Sequence, residues 1–145
     1  MIVILSAIQS GTLGKLSFYR STTDFAEYLR DSGNYTSIIM TGHSLGGGLA
    51  IISGAQAEVQ AVAISGPNAL LSRKRFQVTA ENLQRYTFNV MPDRDPVAVV
   101  DDPVKNIQKI ECTAPKSRPL ACHQVTRSLC ELLYTCGSDE GPVIW

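Results

Sequence analysis

The run Thr41-Gly42-His43-Ser44-Leu45-Gly46-Gly47-Gly48-Leu49-Ala50 constrains this chain more than any other stretch. It contains Gly-x-Ser-x-Gly, the spacing of a serine lifted onto a tight turn between a strand and a helix, with strained backbone and an outward hydroxyl. Glycines belong there because a Cβ would obstruct the strand and helix that pass close to the turn. The five-residue pattern alone is weak, and its meaning depends on strand, turn and helix following one another. Upstream, Tyr35 to Thr41 is β-branched and apolar after Ser32-Gly33-Asn34, which predicts a strand over 35–41. Downstream, Leu49-Ala50-Ile51-Ile52 continues into Ala55 and Ala57, which predicts a buried helix over 44–56. Ser44 is the candidate nucleophile, and the bland alternative is a glycine-rich turn.

Along the rest of the chain, Phe25, Tyr28 and Leu29 recur at helical spacing within 20–31, with Thr22 or Thr23 as caps. Val59 to Ile64 alternates and then runs apolar until Ser65-Gly66-Pro67-Asn68 turns the chain, so it reads as a strand. Residues 69–76 read as a short helix and 86–90 as a third strand, closed by Pro92-Asp93. Residues 101–118 read as polar loop, and 126–134 as a helix with Leu129, Leu132 and Leu133 on one side. Strands alternating with helices at this spacing predict βαβ units and a parallel sheet. In such sheets ligands bind beyond the carboxyl ends of the strands. Ser44 and the pair Asp93/Asp95 both fall at such ends.

A chain of 145 residues is expected to form one domain. Thirteen basic residues balance thirteen acidic ones, so no field draws in a polyanion and a nucleic-acid partner is not expected. No apolar stretch reaches the length of a membrane span. The opening Met1 to Ile8 is apolar but brief, without a basic lead-in, and reads as a strand rather than a signal peptide. Cys112, Cys122, Cys130 and Cys136 all lie in the last quarter. An even cluster predicts two disulfides in one of three pairings and hence a secreted or lumenal location. Buried thiols and a metal site are the alternatives, and the wide gaps disfavour the metal.

A serine hydroxyl needs a base within hydrogen-bond reach, and the base needs a carboxylate behind it. The chain has two histidines. His43 precedes the serine on a sharp turn, so its side chain is expected to diverge from that of Ser44 and to serve packing and orientation. His123 is then the candidate base. Among the acids, Asp95 follows a predicted strand and precedes Pro96, which holds it extended. Asp93 is the competitor, able instead to stabilise a turn. Asp101 and Asp102 read as solvated loop residues. The order Ser44, Asp95, His123 is that of α/β-hydrolases, in which the N–H after the nucleophile, here Leu45, is one oxyanion donor.

These residues resemble the fungal-type (class 3) triacylglycerol lipases and their protist relatives. Thr41 to Gly47 is similar to that family's nucleophile signature. Asp95-Pro96-Val97-Ala98 is similar to its Asp-x-Val-Pro segment, with Ala98 in place of proline, and Cys122-His123 with Leu129 to Leu133 resembles the histidine region of protist members. The resemblance implies a truncated α/β-hydrolase fold, a mostly parallel sheet flanked by helices, in one domain over 1–145. It implies a Ser44–Asp95–His123 triad cleaving glycerolipid esters through an acyl-enzyme, with no metal or cofactor. A lipid ester substrate and transient contact with a lipid interface are the implied partners. The family's earlier strand, ending in Arg-Gly-Ser/Thr and supplying a second oxyanion donor, has only Ser10-Gly11-Thr12 as a faint echo. That departure leaves the second donor unassigned and matches the C-terminal part of the fold. A catalytically weak lipid-binding module and an acyltransferase are the competing expectations.

Overall fold

The computed structural model describes residues 18–118 and 120–136. Its centre is a four-stranded sheet in chain order: β1 (Ile39–His43), β2 (Gln60–Ile64), β3 (Thr87–Pro92) and β4 (Ile107–Ile110). Every neighbouring pair is parallel, with Gly42 opposite Ala63 and Ala63 opposite Asn89. Parallel neighbours require crossovers. Helix α1 (Phe18–Asp31) leads into β1, α2 (Leu45–Ala57) joins β1 to β2, and α3 (Ala80–Tyr86) lies between β2 and β3. A 3₁₀ turn at Ala121–His123 and α4 (Val125–Cys136) close the described chain. The α/β-hydrolase expectation of a parallel sheet flanked by helices is met.

Small residues set how close the layers come. Strand alternation puts Met40, Ala61 and Ala63 on the sheet face that meets α1 and α2. Helix α2 is apolar on all sides and buried along most of its length, as expected of a helix enclosed by other elements. A Cβ on Gly47 would lie 2.9 Å from the Gly42 carbonyl oxygen, so the helix rests directly on backbone. Around it, Ile51, Ile52, Phe76 and Leu83 form the core, and Tyr19 meets Phe76 edge-on at 5.6 Å.

Several elements differ from the sequence expectation. The strand predicted over 35–41 is paired only from Ile39. Residues 70–77 form turns rather than a helix. Asp101 holds them: it is buried, not solvated, and accepts from the Leu71 N–H, the Ser72 N–H and the Ser72 hydroxyl. Helix α3 is unforeseen, being seven residues long with Leu83 as its single buried residue, but its cap is visible in the sequence: Thr79 Oγ1 accepts from the Asn82 N–H at 3.0 Å. Strand β4 falls in the expected loop because only Ile110 is buried along it. The predicted strand at Met1–Ile8 and the Ser10-Gly11-Thr12 echo lie outside the described residues.

The segment between β4 and α4 is closed on itself once and pinned from two sides. Cys112 and Cys122 form a disulfide. The Arg94 guanidinium donates to the carbonyls of Cys112 and Ala114. Glu131 on α4 accepts from both the N–H and hydroxyl of Thr113. No second disulfide occurs among the described residues, where Cys130 is an exposed free thiol. Burial pushes the Glu131 carboxyl up, but the Thr113 bonds and the Arg127 charge outweigh it and hold it below the ordinary 4.5.

Three expectations follow from this packing. A Gly42→Ala Cβ would fall 2.3 Å from the Gly46 carbonyl oxygen, so chemical denaturation should register a loss of about 2–4 kcal/mol or failure to fold. The Cys112→Ser/Cys122→Ser pair should lose about 2–3 kcal/mol in the same assay. A folded-state pKa below the unfolded value means that Glu131 contributes fully above pH 4.5 and loses its contribution as pH falls further. Stability measured against pH should therefore show a shallower acid decline in Glu131→Gln than in the native chain.

Candidate active site

Strand β1 delivers the chain to Ser44 in a conformation that non-glycine residues avoid, with φ 57° and ψ −127°. Two main-chain bonds hold that strain. The Ser44 N–H donates to the Ile64 carbonyl at 3.1 Å, and the Ser44 carbonyl accepts from the Gly48 N–H at 3.1 Å. Steric necessity falls on Gly42 and Gly47 rather than on Gly46, whose side is open. Helix α2 begins at Leu45, so the Leu45 N–H is among the first-turn donors that no intrahelical carbonyl takes.

Beyond β3 the chain makes a turn in which Arg94 adopts φ 64° and the Asp95 N–H closes onto the Pro92 carbonyl at 3.2 Å. The turn separates the two candidate acids. Asp93 is exposed. Asp95 is 1% exposed and accepts from the Val97 N–H at 2.8 Å. Burial of a carboxylate requires such partners.

His123 arrives from the disulfide-bonded segment directly after Cys122. Its Nδ1–H donates to the Asp95 carboxylate, 3.1 Å from both oxygens. Its Nε2 lies 2.8 Å from the Ser44 hydroxyl, which donates to it. The three side chains singled out in the sequence meet in one place, although 79 residues separate Ser44 from His123. The carboxylate fixes which nitrogen carries the proton and leaves the other lone pair facing the serine. Asp95 is sealed from solvent while the His123 side chain keeps 18% exposure, so an incoming molecule reaches the serine and imidazole but not the acid.

The His43 ring, expected to serve packing and orientation, lies against that of His123, centroids 4.9 Å apart. No cluster of histidine, cysteine and acidic side chains suited to a metal occurs among the described residues.

No curated protein matches the chain. The family model described as Lipase (class 3) matches residues 8–104, a span that holds Ser44, Leu45 and Asp95 and stops short of His123. With more than half its length so matched and a parallel sheet of the corresponding kind, the chain belongs to the class 3 lipase family.

Proposed function

We propose that this chain is a serine hydrolase that cleaves glycerolipid esters through an acyl-enzyme formed on Ser44. The observation that carries this reading is the unbroken hydrogen-bonded line from buried Asp95 through His123 to the Ser44 hydroxyl. Membership of a lipase family supports ester hydrolysis in general and a lipid ester as substrate.

In this mechanism His123 Nε2 takes the Ser44 proton as Oγ attacks the ester carbonyl carbon. Asp95 stabilises the imidazolium that results and keeps its ring oriented. The Leu45 N–H, at the positive end of α2, donates to the oxyanion of the tetrahedral intermediate. Collapse expels the alcohol, which receives the proton from His123 Nε2. Water then attacks the acyl-enzyme with His123 again as base, releasing the fatty acid and regenerating Ser44. No metal or cofactor enters these steps.

The Cys112–Cys122 disulfide is compatible with an oxidising compartment. Secretion or residence in a lumen is the location we infer from it. No described helix is long and apolar enough to cross a membrane.

A fluorophosphonate probe is expected to label Ser44 covalently, with Ser44→Ala abolishing both labelling and ester turnover. Labelling that persists in Ser44→Ala would move the nucleophile elsewhere, and lipid binding with background turnover in the native chain would favour a non-catalytic module. Asp95→Asn leaves the imidazole in the wrong tautomer and should lower kcat by about 10³–10⁴-fold in a nitrophenyl ester assay.

A further inference from the structure

His43 and Ser44 are consecutive residues, yet both bear on His123 from different directions. Ser44 meets the imidazole at Nε2. His43 reaches the main chain of the same residue, its Nε2 lying 2.7 Å from the His123 carbonyl oxygen. A carbonyl only accepts, so His43 Nε2 carries the proton and donates. The two rings also rest against each other, inclined by 34°.

This contact supplies what the local backbone lacks. His123 ends a 3₁₀ turn of only three residues, a conformation with poor hydrogen-bond geometry that does not sustain itself. The disulfide fixes the preceding residue, Cys122, but not the carbonyl of His123. The bond from His43 closes a ring of contacts: His43 to Ser44 through the chain, Ser44 to the imidazole, and the carbonyl of His123 back to His43. The spacing of nucleophile and base is thereby tied to strand β1, which belongs to the sheet.

We propose that His43 is a positioning residue for His123. Its N–H anchors the main chain of the base to the strand that presents the nucleophile, and it touches neither the reacting carbonyl nor the moving proton. The inference rests on Ser44 and His123 acting as nucleophile and base. A displacement of about 1 Å in such a pair is enough to cost about 10²-fold in rate.

The test compares three single substitutions in the full chain by ester kinetics and by the downfield proton resonance of the His123 Nδ1–H that binds Asp95. His43→Phe keeps a ring and removes the donor, His43→Asn is too short to reach the carbonyl, and His43→Gln keeps a donor of similar reach. His43→Phe and His43→Asn should lower kcat about 10–100-fold with KM within about twofold, and should broaden or shift the resonance. His43→Gln should recover most of both signals. The proposal is overturned if a folded His43→Phe or His43→Asn keeps native kcat and an unchanged resonance, or if His43→Gln loses as much as they do. Ser44→Ala run alongside separates the two ideas. Turnover surviving that change removes the nucleophile assignment, while the resonance still reports whether His43 holds His123.

Discussion

An imidazole can act on a serine hydroxyl only while something holds its far nitrogen, and here that something is a carboxylate taken almost entirely out of water. Asp95 lies at 1% exposure with its oxygens occupied by the His123 ring and by the N–H of Val97. A carboxylate in that position cannot swing to solvent, so the ring it holds has one orientation. Much of the fold serves to bring the three groups into register. Strand β1 ends immediately before Ser44, β3 ends at the turn carrying Asp95, and both ends lie on the same side of a parallel sheet because every strand runs the same way.

The serine is held by backbone packing and main-chain bonds, and the histidine by cross-links. Backbone at Ser44 is rigid because α2 lies directly on β1 and β2, with glycine at the contacts. His123 comes from irregular chain, and order there depends on side chains: a disulfide at Cys122, Arg94 on two carbonyls, Glu131 on Thr113, and His43 on the carbonyl of His123 itself. The disulfide closes the segment on itself through Cys112, and the other bonds come from β1, from the turn after β3 and from α4. The same residues that shape the segment connect it to the elements that carry the other two members of the site.

The sequence revealed most where structure is local. The strand, turn and helix around Ser44 are written in consecutive residues, and the glycine pattern reflects contacts within a few positions of each other. Asp95 is preferred over Asp93 in the sequence by its place before Pro96, aided by a family resemblance, whereas the turn that buries one and exposes the other depends on the left-handed backbone of Arg94. Asp101 looked solvated because its partners, Leu71 and Ser72, lie about 30 positions away in the chain. Strand β4 alternates weakly and is held chiefly by hydrogen bonds to β3, which leave no pattern in side chains. The Cys112–Cys122 pairing and the bond from His43 to His123 are likewise products of tertiary approach, and no spacing rule encodes them.

The most direct measurement is the mass of the chain's own peptides after a nitrophenyl ester is mixed with the protein and quenched within the first turnover. An activated serine should carry the acyl group on the peptide containing Ser44, together with a burst of nitrophenol equal to the protein concentration. An acyl group found instead on Cys130, the exposed free thiol, or on no peptide at all, would contradict the account.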